Sequence, residues 1–334
     1  MLSRSSDTRA AMVSEEGFDR ALWKRLCTEI GVAGLAVPEE YGGLGAGLAE
    51  TVVVLGELGR ELTPSPMLGS AVLSVQALLA SGDEDACRRL LPGIAGGTIA
   101  ALAWGTWDPS EAHMSYVDGR LTGEARYVLD GATAEVLLVV ARTEDGLGLF
   151  EVDPAAAHRI PLPTMDPTRR LTSVRLPGVA GRRIGDFRGA LVRDLALVAL
   201  SAEQVGAARR CLELTVEYTK SRVQFGRPIG SFQALKHRMA DLHVLVETAE
   251  SAAELSLAAL TAEDLPLAAA VAKIHCSEAF QAVAGEMIQL HGGIAITWEH
   301  DAHLYLKRAH GSAQLFGAPR EHLARLGRNV TFQP

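Results

Sequence analysis

Residues 222–233 read Arg222-Val223-Gln224-Phe225-Gly226-Arg227-Pro228-Ile229-Gly230-Ser231-Phe232-Gln233. Before this stretch Val205, Ala208, Leu212 and Val216 recur at helical spacing, and after it begins Phe232, Leu235, Met239, Leu242 and Val246 do the same. The stretch is therefore a turn between two long amphipathic helices, built on Gly226, Pro228 and Gly230. It presents one fixed cation, one amide and one ring: Arg222, Gln224 and Phe225. A guanidinium grips phosphate through two donors, an amide satisfies polar edges and an aromatic face stacks, so the set suits a ligand that joins phosphate to a purine.

Further along, Phe280, Val283, Met287 and Leu290 form a third apolar stripe that runs into Gln289-Leu290-His291-Gly292-Gly293, where a helix stop is expected. The chain from 187 to 334 thus reads as a helical bundle domain of four main helices. Residues 1–95 also read as helical. Phe18, Leu22, Leu26 and Ile30 fall on one face, Gly31 is placed to end that helix, and Val52, Leu55 and Leu62 start another. Between them, residues 96–186 change to short β-like runs (Ile99 to Trp104, Tyr127 to Leu129, Val136 to Ala141, Leu147 to Val152, Ser173 to Leu176) divided by turns such as Asp118-Gly119, Asp130-Gly131 and Asp166-Pro167. The expected fold class is α+β, with a middle antiparallel β-domain between two helical ones.

The chain has 334 residues, 48% hydrophobic and 22% charged, enough for a large core in two or three subdomains. Its 32 basic and 40 acidic residues give a formal charge of −8, and no basic stripe is present to neutralise phosphates, which disfavours nucleic acid. No run of about 18 apolar residues suggests a membrane span, and the N-terminus lacks the apolar core of a signal peptide. Cys27, Cys87, Cys211 and Cys276 match no metal spacing and read as small buried hydrophobes of a reducing compartment. The expected location is the cytoplasm. The glycines of residues 42–47 follow no strand and lack the dinucleotide-loop spacing.

The turn and the Gln289–Gly293 segment together resemble the flavin-clamping segments of the acyl-CoA dehydrogenase family, with pattern Arg-x-x-Phe-Gly-x-x-Ile-x-x-Phe-Gln followed by Gln-x-x-Gly-Gly. Phe18-Asp19-x-x-Leu22-Trp23, Val37-Pro38-Glu39-Glu40-Tyr41-Gly42-Gly43 and Glu57-Leu58-Gly59-Arg60 resemble the family's opening helices, so the likeness spans nearly the whole chain. It implies that Arg222, Gln224, Phe225, Gln289, Gly292 and Gly293 contact FAD across a subunit interface. It also implies where a catalytic base would stand. The usual glutamate position falls in Leu315-Phe316-Gly317-Ala318, at Phe316, and the minority position, on an earlier helix, falls at Ala196, followed by Leu197. Neither is a carboxylate, so no catalytic residue is assigned. Glu203 lies seven residues beyond Ala196, roughly 10 Å along a helix, as a candidate for a relocated base. In the family's middle domain a threonine reaches flavin N5. The matching place in Tyr127-Val128-Leu129 holds Leu129, while Thr106 of Trp104-Gly105-Thr106-Trp107-Asp108-Pro109 aligns as a ring contact.

The resemblance therefore implies a non-catalytic subunit of an α2β2 acyl-CoA dehydrogenase, as in actinobacterial steroid side-chain degradation. A homologous subunit carrying the glutamate would be the partner. A bulky CoA thioester would be the substrate and an electron-transfer flavoprotein-like protein the acceptor. The short chain and Met165-Asp166-Pro167-Thr168-Arg169-Arg170 fit that class. A homomeric dehydrogenase with a relocated base and a flavin-free scaffold stay open as alternatives. A ring at Phe316 is expected to plug the place of the carboxylate. His291 reads equally as a ligand neighbour or a packing residue. Glu299, His300 and His303 lack a His-Glu-x-x-His pattern and read as surface helix residues, and Lys307, Arg308 and His310 as a solvated face or interface rim. No Gly-x-Ser-x-Gly elbow is present.

Overall fold

The computed structural model describes residues 7–329, so the outermost positions of the two expected helical domains lie outside it. Helices α1 (Thr8–Val13), α2 (Arg20–Arg25), α3 (Leu48–Arg60), α4 (Val75–Ser81) and α5 (Glu84–Ala95) precede the sheet. Each of α1, α2 and α5 starts on an aspartate, Asp7, Asp19 or Asp83, whose carboxylate accepts from a backbone N–H of the first turn. Phe18, Leu22 and Leu26 are buried as the spacing predicts, but Ile30 is 48% exposed. After α2 the chain widens into a π turn over Leu26–Ile30, and the wider turn rotates Ile30 off the apolar face before Gly31 ends it.

Eight strands follow: β1 (Ala100–Ala103), β2 (Met114–Val117), β3 (Arg120–Leu129), β4 (Val136–Thr143), β5 (Gly146–Val152), β6 (His158–Pro161), β7 (Leu171–Ala180) and β8 (Arg182–Asp186). They form one sheet in the order β6-β7-β3-β2-β4-β5-β8, with β1 also on β4. The pairings are antiparallel except that β1 and β2 run parallel to β4. Along β4 alternate residues serve two cores. Leu138 and Val140 join the core shared with the N-terminal helices, and Leu137, Val139 and Ala141 join the core on the sheet's other face.

The C-terminal part is built on α6 (Gly189–Ser221), α7 (Gln233–Ala258), α8 (Leu265–His291), α9 (Ala302–Gln314) and α10 (Pro319–Asn329). Leu195 to Ser201 of α6 are buried on every side, so this helix runs through the molecule rather than along its surface. Phe280, Val283, Met287 and Leu290 are buried as predicted. On α7 only Leu242 and Val246 of the predicted stripe are fully buried, and its first turns stay open to solvent. Among the described residues no helix is long and apolar enough to cross a membrane. All four cysteines are free and buried.

Candidate cofactor clamp and the adjoining cavity

Helix α6 ends where Arg222 N–H donates to Tyr218 O at 2.8 Å, and the chain then makes a small hairpin, β9 (Val223–Gln224) against β10 (Arg227–Pro228). The two residues between them, Phe225 (φ 53°) and Gly226 (φ 75°), are both left-handed, the geometry of a two-residue hairpin turn. Glycine takes that φ freely, whereas the phenylalanine is held there by the hairpin, with its ring 91% exposed. Ile229 N–H donates to Arg222 O at 2.8 Å and closes the loop. Arg227 lies over the Phe232 ring at 4.0 Å. Among the described residues the Arg222 guanidinium has no hydrogen bond or ion pair, and it faces solvent.

The second segment lies at the same end of the bundle. Tyr218 donates through its hydroxyl to His291 O at 3.2 Å, and the two rings stack with centroids 4.3 Å apart, tying the end of α6 to the end of α8. Gln289, Gly292 and Gly293 are exposed there. All six candidate residues thus lie on the surface at one end of the bundle. His291 is a packing residue: its Nδ1 donates to Met287 O at 2.8 Å, and burial lowers its pKa. His300 and His303 are half-buried rather than surface residues, packed on His291 and Trp298, and no metal-holding group occurs among the described residues.

The places implied for a base are different in kind. Ala196 is 1% exposed inside the main core. Glu203 is buried, and its Oε1 accepts from Arg308 Nη1 at 2.6 Å and from Arg169. Burial alone would raise this carboxyl, but the two guanidinium groups outweigh it and hold the pKa below the ordinary value. A carboxylate locked between two arginines cannot take a substrate proton, which removes Glu203 as a relocated base. The expected solvated role of Arg308 is also overturned. It is 4% exposed and donates through Nε to Asp166 Oδ2 at 2.8 Å, and through Nη2 to Thr168 O at 2.9 Å. Helical periodicity placed it on an outer face. Packing of α9 against the segment 166–168 encloses it instead.

Phe316 lines a cavity of about 520 Å³ between the sheet and the end of α9. Its backbone is left-handed (φ 60°), an unfavourable state for a bulky residue, and its carbonyl accepts from His322 Nε2 at 2.9 Å. Burial lowers His322 to about 4, so it is neutral here. Lys273, wholly buried and lowered by burial to about 7, donates to Ser312 O at 2.7 Å and Ala313 O at 3.2 Å, which holds the end of α9. Sequence reasoning missed both anchors, although a lone lysine in the apolar run of α8 was a visible signal. The Phe316 ring packs against the main core, so it walls the cavity and does not plug it.

Leu73, Leu102, Trp104, Trp107 and Leu129 are among the other residues of the wall, and no carboxylate lines it among the described residues. Three of its polar side chains make local bonds. Trp104 Nε1 donates to Glu111 O at 3.0 Å, Thr106 Oγ1 accepts from Asp108 N at 3.2 Å, and Thr164 Oγ1 donates to Asp166 O at 2.8 Å. Gly105 lets this wall form, since a Cβ there would stand 2.8 Å from Ala125 Cα of β3.

Comparison with known proteins places these features. Residues 3–98 match the family model described as acyl-CoA dehydrogenase, N-terminal domain, and residues 196–331 that described as acyl-CoA dehydrogenase, C-terminal domain. The chain is 47% identical to acyl-CoA dehydrogenase IpdE2 of Mycolicibacterium smegmatis, over 96% of this chain and 92% of that one. Among solved structures it is similar to the ChsE4-ChsE5 complex from Mycobacterium tuberculosis (30% identity, TM-score 0.89, 98% and 92% of the two chains). It is also similar to the Tcur3481-Tcur3483 steroid ACAD G363A variant (31% identity, TM-score 0.88, 96% and 91%). By both sequence and fold, the chain belongs to the acyl-CoA dehydrogenase family.

Proposed function

We propose that this chain is the non-catalytic subunit of a heteromeric, FAD-dependent acyl-CoA dehydrogenase, an α2β2 assembly in which a homologous subunit supplies the catalytic glutamate and most of the acyl-CoA pocket. The observation that carries the reading is a split in chemistry. Among the described residues the cavity that adjoins Phe316 holds no carboxylate, while Arg222, Gln224 and Phe225 stand exposed at the hairpin. The residues fit the nucleotide half of FAD. Arg222 has two parallel donors free for a pyrophosphate, Gln224 and Gln289 carry amides, Phe225 presents a ring face, and Gly292-Gly293 expose backbone without side chains in the way. Around the chain's own cavity Leu129 offers the flavin ring no donor, and the Thr164 hydroxyl is committed to Asp166 O.

A bound flavin would supply the hydride acceptor for the acyl chain. This chain's part is to neutralise phosphate charge with Arg222, to hold the adenine end against Phe225, and to keep water from the cofactor's outer face. The two-component names of the similar ChsE4-ChsE5 and Tcur3481-Tcur3483 structures support a homologous partner, and the printed description of the latter as a steroid ACAD supports a steroid side-chain CoA thioester as substrate. A cytoplasmic setting and an electron-transfer flavoprotein-like acceptor complete the proposal. Co-expression with a homologous glutamate-bearing subunit, followed by flavin counting, tests it. The expected result is two FAD per four chains and acyl-CoA-dependent reduction of an artificial acceptor only when both proteins are present. Four FAD per four chains, or turnover by this chain alone, would overturn it.

A further inference from the structure

The cavity beside Phe316 is left without an assigned occupant by the reading above, on which the following inference rests. Its volume of about 520 Å³ lies in the range of small-molecule sites. Four of its lining residues are aromatic: Trp104, Trp107, Tyr127 and Phe316. Leucines supply much of the rest. A flavin ring in this space would set polar edge atoms against leucine and tryptophan walls, and each one left without a partner costs about 1–3 kcal/mol. A ligand with bare apolar rings carries no such penalty and gains from stacking on the walls.

One charge faces the space. Arg126 is the sole charged residue in the lining among the described residues; it is exposed, and it makes no ion pair there. It lies 5.4 Å over the Tyr127 ring. Tyr127 is itself left-handed (φ 61°), at the place where the β3–β7 register slips between Ala125 and Val128. That bulge sets Arg126 and Tyr127 together at the cavity's rim, both exposed to solvent. Strained backbone on two sides of one cavity, at Tyr127 and at Phe316, is the kind of feature that persists where a site is shaped.

We propose that this cavity is a binding site for a flat, apolar small-molecule anion, its rings against Trp104, Trp107 and Phe316 and its negative group paired with Arg126. The test uses the full chain and two fluorescent probes that share a fused-ring core. Anilinonaphthalenesulfonate carries an anionic group, and phenylnaphthylamine does not. Each binds at one site per chain. Thr106→Trp and Gln314→Trp fill the cavity from its loop and from the exposed end of α9, and either abolishes binding of both probes while the melting temperature stays in place. Arg126→Glu weakens the sulfonate by about tenfold and leaves the neutral probe unchanged. Binding of the probes that survives both filling variants, or an equal response of the two probes to Arg126→Glu, overturns the proposal. Titration with FAD separates this outcome from failure of the heteromer reading. One FAD per chain, displacing the probe, removes both ideas. Absence of probe binding, with two FAD per four chains in the assembly, removes this one alone.

Discussion

The two ends of the C-terminal helices carry the same kinds of side chain in opposite states. At the hairpin end an arginine, amides and an aromatic ring stand in solvent, with Arg222 unpaired among the described residues. Around the end of α9 the polar groups are engaged with the protein itself: Arg308 with Asp166 and Glu203, Lys273 with two carbonyls, His322 with Phe316 O. A buried charge is tolerated only when paired, so those groups have no capacity left for a substrate. An exposed charge keeps its capacity, because water releases it at small cost. Charge that is free to meet a ligand therefore stands at the hairpin end, and the buried charges around α9 hold the fold.

The largest expected effect breaks the interior side. Arg308→Ala leaves Glu203 and Asp166 without their shared cation, and about 3–5 kcal/mol of unfolding free energy is lost in urea denaturation. A loss below about 1 kcal/mol would mean that water replaces the guanidinium and that the centre is not closed. Next comes the hairpin side. Arg222→Ala leaves chain stability within about 0.5 kcal/mol but weakens FAD retention in the assembled complex by about 10- to 100-fold, the worth of a charge-assisted phosphate contact. Equal damage to folding and flavin content would erase the distinction between the two ends.

The smallest expected effect is a pH dependence. Burial raises the Asp130 carboxyl from 3.8 to about 7, against the pull of Arg169 and Arg308. A raised folded pKa means that the native state holds a proton which the unfolded chain has released. This contribution is therefore full below the unfolded value and is lost as the pH rises through about 7. Only the last part of that loss, on the order of 1 kcal/mol, falls between about pH 6 and about pH 8. Asp130→Asn should flatten the stability profile over that interval, as measured by denaturation at each pH. Glu203 works in the opposite sense. Its depressed pKa stabilises the fold above the ordinary carboxylate range, and this is lost as the pH falls. An unchanged slope in Asp130→Asn would place the titration elsewhere.

Much of the architecture was legible because local rules had no competitor. The stripe Phe280, Val283, Met287 and Leu290 lies on one helical face, and the Phe225-Gly226 turn sits where the glycine pattern put it. Strands β2, β6 and β8 escaped notice because they are short and mostly open to solvent, so pairing rather than side-chain pattern makes them strands. Ile30 was misplaced by a π turn that no spacing rule anticipates. Arg308 was misplaced because an arginine on a helix is ordinarily solvated, and only the arrival of Asp166 and Glu203 from two distant segments makes its burial tolerable.

What the sequence determined by itself is which atoms exist at each station: an arginine, amides and a phenyl ring on the hairpin, a methyl group at Ala196 and a phenyl group at Phe316. Tertiary structure decided what those atoms are free to do. It locked Glu203 between two guanidinium groups, set Phe316 along a wall and left the space beside it open. The reason is physical. Side-chain identity is local, but ionisation, exposure and empty volume depend on neighbours that the chain brings together from over a hundred residues away, as with Arg308 and Asp166.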